Sequence, residues 1–236
     1  MSALGHYLEE EGIATVAISL IRPQTENTKP PRALWVPFEL GRPFGPPGDP
    51  AFQKRVLLAA LRLLERPDGK LIIEDFPDDD PRAQPDPSWQ PPLPPAAPAE
   101  MTAARLETEI ARLRRAYDRW VVQHGSSTVG LSGLPVAECG RIVAAWLNGE
   151  RPASPRDGIS PILLLRFAVD DLKAYYLEAA AAGAARPSSR QLGDWLWNAT
   201  AAGAAIIALR ALGLASDDER VKAVLGNLMV PAVRVA

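Results

Sequence analysis

Side chains capable of chemistry are concentrated in a loop near the amino end of the chain. Within residues 32–50, RALWVPFELGRPFGPPGDP, Glu39 and Arg42 lie among three glycines and five prolines. An arginine in a stiff loop can bind a carboxylate in bidentate fashion, so we predict that Arg42 contributes to substrate binding or subunit docking. The same site would include Glu39, Gly41 and Gly45. Alternatively, Glu39 and Arg42 pair with each other and hold the loop in shape.

The only cysteine of the chain, Cys139, is a candidate nucleophile. It follows Pro135 in the first turns of a predicted helix, where the helix dipole would lower the pKa of a thiol. His124 could act as its base if the fold brings the two side chains together. The alternative is a lone buried cysteine between Ala137 and Ile142.

His6 is a second candidate for catalysis. It lies four residues before Glu10 on one predicted helix face, with Glu9 beside it. Such a pair could be a general base or half of a metal site, but a solvated helix face explains it as well. The chain has two histidines and one cysteine, too few for a dedicated transition-metal site. We therefore predict no metal and no cofactor.

Two further candidates lie in the carboxyl-terminal half. The loop at residues 125–133, GSSTVGLSG, precedes a helix start and could hold an anion, although it lacks the lysine and spacing of a phosphate-binding loop. Asp194 and Trp195 could line a pocket between two helices, with indoles as walls; a surface pair beside core tryptophans is the alternative. The other members of that predicted pocket are Asp170, Asp171, Lys173, Tyr175, Tyr176, Trp197 and Asn198.

The loop at residues 32–50 has to be positioned by an α/β layer, which we place at residues 1–76. We predict helices over 2–11 and 52–64, strands over 13–21, 33–36 and 70–74, a polar connection at 22–31 and a turn at 68–69. This order indicates a short, mostly parallel sheet with flanking helices. Asp49-Pro50 is a good helix start, so the loop should lie at the carboxyl edge of the sheet. Three strands make a thin sheet, which we expect another chain or a second copy to complete.

The remainder of the chain reads as a linker followed by helices. Residues 77–99 are rich in proline and predict a stiff linker, with Trp89 and Leu93 as anchors. Residues 100–236 predict an α-helical bundle of five helices. Its helices are predicted to span 101–124, 135–147, 160–182 and 189–212, followed by about ten residues opened by Ser216 and Glu219, with an extended tail from 230.

Composition narrows the class of protein. The 236 residues are 47% hydrophobic and carry a net charge of −2 without a basic stripe, which disfavours nucleic acid as a partner. One cysteine excludes an internal disulfide framework, and the amino end lacks the layout of a signal peptide. The most apolar run, residues 199–215, is shorter than the ~20 residues of a membrane span. We expect a cytoplasmic protein without membrane contact.

Several motifs of the first 75 residues resemble a known family. They are HYLEEEGIATV at residues 6–16, PRA at 31–33, FELGRPFG at 38–45 and DPAFQ at 49–53. In this order they resemble the glycine/sarcosine/betaine and D-proline reductases, most closely the selenoprotein B component. The helical part of the chain has no such resemblance.

The resemblance implies an oxidoreductase subunit that acts on a carbon–nitrogen bond of a small amino-acid-like or amine substrate. Members of the family carry a cysteine close to a selenocysteine or second cysteine just upstream of the first helix, and residues 1–5 contain neither. We therefore expect a partner subunit to supply the redox group, in a hetero- or homo-oligomer. The alternatives are a scaffold subunit that retains the sheet for assembly, and a stand-alone enzyme that uses Cys139.

Overall fold

The computed structural model describes residues 2–66, 71–94, 102–231 and 234. The chain forms two compact units, Met1–Gln84 and Pro85–Ala236. We call them the α/β unit and the helical unit. The boundary between them falls inside the proline-rich stretch at residues 77–99.

The α/β unit contains a three-stranded parallel sheet in the order β1-β2-β3. Leu34 of the central strand lies opposite Ile18 on one side and Glu74 on the other. The predicted short parallel sheet with flanking helices is confirmed. Its elements are α1 (Ser2–Glu10), β1 (Ala17–Ser19), α2 (Arg22–Thr28), β2 (Arg32–Trp35), α3 (Pro50–Arg62) and β3 (Ile72–Asp75).

Helix α2 occupies a stretch for which the sequence predicts a polar connection. Pro23 lies in its first turn, and its end is capped by Lys29, whose backbone is left-handed at φ 45° and whose N–H donates to the carbonyl of Thr25 at 2.9 Å. Thr25 is the one buried residue of this short helix. A seven-residue helix without an apolar stripe leaves no periodicity in the sequence, so the prediction was wrong here.

Strand β1 is shorter than the predicted strand at residues 13–21. The N–H of Thr15 donates to the Glu9 carboxylate at 2.5 Å and is therefore not available to a neighbouring strand. The predicted turn at residues 68–69 lies outside the described residues.

The core of the α/β unit lies between the sheet and α3. Phe38, Phe52 and Phe76 form a cluster with ring centroids 5.5 to 5.9 Å apart in tilted and edge-on orientations, which favour aromatic pairs. As predicted, Asp49 begins α3, with its carboxylate accepting from the N–H of Phe52 at 3.0 Å. Leu34, Val36, Val56, Ala60 and Leu63 complete the core.

The helical unit consists of helices joined by short loops, as the sequence predicts. They are α4 (Ala103–His124), α5 (Val136–Leu147), α6 (Pro161–Ala181), α7 (Ser189–Ala199), α8 (Ala201–Leu214) and α9 (Glu219–Val221), which continues into a π-helical turn (Lys222–Gly226). Helix α6 is central and packs against α4 and α5. Its side chains Leu165, Val169 and Leu172 are completely buried.

Helix boundaries in this unit follow local capping chemistry. Gly125 ends α4 at φ 68°, and Ser188 and Gln191 form the predicted capping box of α7. The predicted box of Ser216 and Glu219 is wrong, because Asp218 caps α9 and accepts from the N–H of Arg220 at 2.8 Å. Of the predicted tail, residues 232, 233, 235 and 236 lie outside the described part of the chain.

The predicted helix at residues 189–212 is two helices, α7 and α8, bent by 71°. Thr200 sits at the break, where its hydroxyl donates to the carbonyl of Leu196 at 2.7 Å and accepts from the N–H of Gly203 at 3.0 Å. Among the described segments, no single helix is long and apolar enough to span a membrane. Helices α7 and α8 reach that length and apolarity only when they are taken together.

The second half of the proline-rich stretch is attached to the helical unit. Asp86 donates its N–H to the side-chain oxygen of Gln191 at 2.7 Å, and its carboxylate accepts from the N–H of Arg186 at 2.8 Å. The indole of Trp89 donates to the carbonyl of Ala180 at 3.1 Å, and Leu93 is buried in the helical core. The predicted anchoring roles of Trp89 and Leu93 are confirmed.

We expect Gly203→Ala to destabilise the helical unit although alanine is the better helix former. Its Cβ would collide with the carbonyl of Leu196 and lie 2.9 Å from the Cα of Trp197. Such overpacking costs about 2 kcal/mol or more of unfolding free energy. Gly193→Ala is the matched control, because its Cβ meets only the end of the flexible Arg234 side chain. It should be neutral or stabilising by up to about 1 kcal/mol. Urea unfolding followed by circular dichroism measures both, and equal effects would contradict the expectation.

Candidate functional site

The proline- and glycine-rich loop joins the carboxyl end of β2 to α3, as predicted. Glu39 and Arg42 lie on one tight turn, in which the N–H of Arg42 donates to the carbonyl of Glu39 at 3.0 Å. Their side chains are exposed, and Nη1 of Arg42 is 3.9 Å from Oε2 of Glu39. An exposed ion pair at this distance contributes little to stability, so a ligand can displace Glu39 at little cost. The Arg42 guanidinium is therefore accessible to a ligand.

Glycines and buried contacts hold this loop in a defined shape. Gly41 and Gly45 have φ angles of 92° and 82°, which other residues rarely adopt. A Cβ on Gly45 would lie 2.5 Å from the ring of Phe52, so this close approach also requires glycine. Further on, the guanidinium of Arg82 donates to the carbonyl of Pro47. The loop therefore offers preorganised backbone.

The same edge of the sheet carries a group of side chains that the sequence did not indicate. Arg22 of α2 pairs with Asp75 at the end of β3 and with Glu26 at 2.9 Å. Its guanidinium also lies 5.6 Å from the ring of Trp35, at the end of β2. Hydrogen bonding to Asp75 raises the pKa of Arg22 further. The only sequence signal was Pro23, which is typical of a first helical turn.

At the opposite, amino edge of the sheet, three motif residues form one hydrogen-bonded cluster. The Glu9 carboxylate accepts from the N–H of Thr15 at 2.5 Å, from its hydroxyl at 3.0 Å and from Nη1 of Arg32 at 2.6 Å. Arg32 is buried and also donates to the carbonyl of Arg66 at 3.0 Å. The backbone hydrogen bond from Thr15, followed by Arg32, holds the pKa of Glu9 below its ordinary value.

The two histidines do not join the other candidates. His6 and Glu10 are exposed on α1, while Glu9 is engaged by Thr15 and Arg32. The ring of His124 stacks on Trp120 with centroids 3.5 Å apart, and its Nδ1 is 3.0 Å from the carbonyl of that residue.

Cys139 lies in the first turns of α5, as predicted, but its thiol is completely buried. Its Sγ is 3.4 Å from the hydroxyl of Ser132, which in turn donates to the Asp171 carboxylate at 2.5 Å. Desolvation raises the pKa of the thiol to about 11, and the negative charge of Asp171 adds to the effect. The expected lowering by the helix dipole is outweighed, because burial penalises the thiolate. Cys139 is therefore a protonated, inaccessible thiol at neutral pH.

The loop at residues 125–133 does hold anions, but they are the chain's own carboxylates. Asp171 of α6 is completely buried and accepts from the N–H groups of Gly130, Leu131 and Ser132 at 2.8 to 2.9 Å. Two turns further along α6, the Glu178 carboxylate accepts from the N–H of Thr128 at 2.8 Å. These donors are thus occupied within the protein. Single-sequence patterns did not show this, because Asp171 lies forty residues from the loop.

The residues predicted to line a pocket around Asp194 and Trp195 contact different partners and do not converge. Asp194 is exposed and pairs with Nη1 of Arg234 at 2.5 Å. Trp195 is 5% exposed and packs on Tyr176 with ring centroids 6.0 Å apart. The hydroxyl of Tyr176 donates to Glu109 at 3.1 Å. Of the remaining members, Asp170 pairs with Arg166 and Lys173, Asp171 binds the loop, Tyr175 donates to the Ile110 carbonyl, Trp197 is buried in the core and Asn198 is exposed.

Within the residues that the structure describes, no group of three or more acidic, histidine or cysteine side chains is placed to hold a metal ion. No protein-family model, curated protein or solved structure matches the chain. The candidate site with accessible functional groups is therefore the carboxyl edge of the sheet, with Arg42 and Glu39 on a preorganised loop.

We expect Asp171→Asn to destabilise the helical unit by about 3 kcal/mol, because an amide cannot accept from all four donors and loses the charge. Asp170→Asn is the matched control one residue away. Asp170 pairs with Arg166 at 3.1 Å and Lys173 at 2.7 Å near the surface, so its loss should cost at most about 1 kcal/mol. Guanidinium unfolding measures both, and a cost for Asp171→Asn no larger than that of Asp170→Asn would contradict this role.

Burial of Cys139 predicts a loss of stability at alkaline pH. The pKa of the thiol is raised from 9.0 to about 11 in the folded chain, so unfolding allows ionisation at lower pH. The corresponding stability is complete below pH 9 and is lost as the pH rises towards about 11. Cys139→Ala lacks this group. Between pH 9 and about 11 the unfolding free energy of the wild type should therefore fall relative to that of Cys139→Ala. A difference that stays constant over this range would show that the thiol is not desolvated.

Proposed function

We propose that this chain is a subunit of a reductase-like complex, binding a small amino-acid-like or amine substrate while a partner chain supplies the redox group. The observation that carries the proposal is the cluster of Glu9, Thr15 and Arg32. These residues belong to two motifs through which the chain resembles the glycine and D-proline reductases. These three residues meet in one hydrogen-bonded cluster, in which Arg32 is buried while Glu9 and Thr15 are partly exposed, and this meeting supports the resemblance.

The state of Cys139 supports a partner as the source of the redox group. A nucleophilic chalcogen has to be ionised and accessible, whereas this thiol is buried with a pKa of about 11. Of the three hypotheses (reductase subunit, scaffold subunit and stand-alone enzyme), the stand-alone enzyme that uses Cys139 is therefore the least favoured.

The accessible guanidinium of Arg42 supports binding of a substrate carboxylate. Its distance of 3.9 Å from Glu39 leaves the bidentate face of the guanidinium open, and the glycines at positions 41 and 45 fix the turn that carries it. Glu39 beside it can receive the amino group of the same ligand. An amino-acid-like substrate carries both charges.

A scaffold subunit is the second candidate, and the distribution of exposed apolar side chains favours it. Of the fifteen large apolar side chains exposed in the described residues, ten lie in the α/β unit. Three of them, Leu57, Leu58 and Leu61, follow one face of α3. Exposed apolar surface of this kind is typical of an interaction surface.

Native purification tests the proposal. The tagged chain, expressed in its source cells, should co-purify with a chain that carries a cysteine beside a selenocysteine or second cysteine, identified by mass spectrometry. The complex should cleave the carbon–nitrogen bond of D-proline or sarcosine with a dithiol as reductant. A complex that lacks this activity with all family substrates would favour the scaffold, and a chain that purifies alone would contradict both.

Within an active complex, Arg42→Ala should raise KM roughly 10- to 100-fold, the value of a charge-assisted hydrogen-bonded pair, with kcat little changed. Arg42→Lys should recover part of the loss. The control is Arg62→Ala, an exposed arginine at the far end of α3. Equal KM values for Arg42→Ala and Arg62→Ala would remove Arg42 from the site.

A further inference from the structure

A cleft between β1 and α2 lies beside the loop that carries Arg42. Its volume is about 230 Å³, and Leu40 of that loop forms part of its wall. Leu40 and Arg42 lie two residues apart on the turn that begins at Glu39, so their Cα atoms are at most about 7 Å apart. The cleft and the accessible guanidinium therefore belong to one region of the α/β unit. The apolar wall of the cleft is formed by Ala17, Ile18, Leu20, Ile21, Pro30 and Leu40.

The polar side chains of the cleft are mostly engaged within the protein. The hydroxyl of Thr25 contacts that of Ser19 and donates to the carbonyl of Ile21 at 2.9 Å. The hydroxyl of Thr28 donates to the carbonyl of Gln24 at 2.8 Å, and the side chain of Gln24 is exposed to solvent. Because these hydroxyls already have partners, a polar group of a ligand gains little here, whereas an apolar group is removed from water. The cleft therefore suits an apolar group.

Leu40 connects the cleft to the charged groups of the loop. Its side chain is 73% exposed, and the turn that carries it is held by the left-handed backbone of Gly41. A ligand that enters the cleft covers this side chain, and removal of apolar surface from water favours binding. A ligand held by Arg42 and Glu39 can place an apolar substituent on Leu40 without any rearrangement of the sheet.

We propose that this cleft binds the side chain of the substrate, and that the substrate is an amino acid with a compact branched or aromatic apolar side chain. Arg42 binds its carboxylate, Glu39 its amino group, and the side chain lies between β1 and α2. Since a cavity of about 150 Å³ holds benzene, the 230 Å³ of this cleft accommodate a side chain of about four to seven carbon atoms. Glycine leaves the cleft unfilled.

This inference rests on the proposed function for its choice of an amino acid as the ligand, and it adds the class of side chain. The two fail separately. The preference for a side chain is measured by binding to the purified chain, whereas the proposed function is measured by cleavage of a carbon–nitrogen bond in the complex.

Isothermal titration calorimetry of the purified chain tests the preference. Leucine, as the L or the D enantiomer, should bind roughly 10- to 100-fold more tightly than glycine, because burial of its side chain is favourable by about that factor. Phenylalanine should also bind more tightly than glycine. Failure of both leucine enantiomers to bind more tightly than glycine would overturn the proposal.

Substitution of Leu40 tests the position of the side chain. Leu40→Ala should weaken the binding of leucine more than that of glycine, by roughly 3- to 10-fold, because it removes apolar surface from the wall of the cleft. Leu61→Ala is the matched control, since it removes an exposed leucine from α3. Arg42→Ala should weaken both amino acids by the same factor, because both carry a carboxylate. Circular dichroism checks that each variant is folded.

Two further outcomes separate the cleft from the proposed function. An equal loss of leucine binding in Leu40→Ala and Leu61→Ala would overturn the cleft as the side-chain site and leave the role of Arg42 standing. Leucine binding that depends on Leu40 and is unchanged in Arg42→Ala would support the cleft and contradict the proposed role of Arg42.

Discussion

The buried carboxylate of Asp171 is the constraint on which much of the helical unit depends. A charge without solvent has to be met by hydrogen-bond donors, and here three backbone N–H groups and one hydroxyl of the loop at residues 125–133 converge on it. Because the loop leads directly into α5, this arrangement also fixes where α5 begins against α6. The same serine that completes the set lies next to Cys139, whose thiol stays protonated mainly because it is buried.

Two other carboxylates, Glu109, which is buried, and Glu9, which is partly exposed, connect elements in the same way. Glu109 of α4 accepts from the N–H of Ala201 at 2.8 Å and thereby ties α4 to the first turn of α8, at the bend. In the α/β unit, Glu9 joins α1 to the starts of β1 and β2 through Thr15 and Arg32. These carboxylates connect segments that are far apart in the sequence. Each carboxylate needs particular donors, so its position specifies which segments lie next to each other. The apolar core is less specific, because it tolerates exchanges between side chains of similar volume.

Features that depend on neighbouring residues could be predicted from the sequence, and features that depend on distant partners could not. The start of α3 at Asp49, the end of α4 at Gly125 and the capping box of Ser188 follow from local chemistry. Helix α2 has no apolar stripe to detect, and the break at Thr200 interrupts a run of strong helix formers. The loop with Arg42 was predictable as a candidate site because its glycines are a local signal. The engagement of Asp171 and the burial of Cys139 were not, because a sequence does not show which distant donors surround a residue.

The attachment of residues 86–93 to the helical unit has a consequence for how the chain can be divided. Composition alone would place the cut near residue 100, where the prolines end and the helices begin. A helical fragment cut there would lose Asp86, Trp89 and Leu93, and with them the partners of Gln191, of the Ala180 carbonyl and of part of the apolar core. The natural point of separation is the bond between Gln84 and Pro85. Residues 86–93 of the proline-rich stretch are thus an integral part of the helical unit and not a spacer.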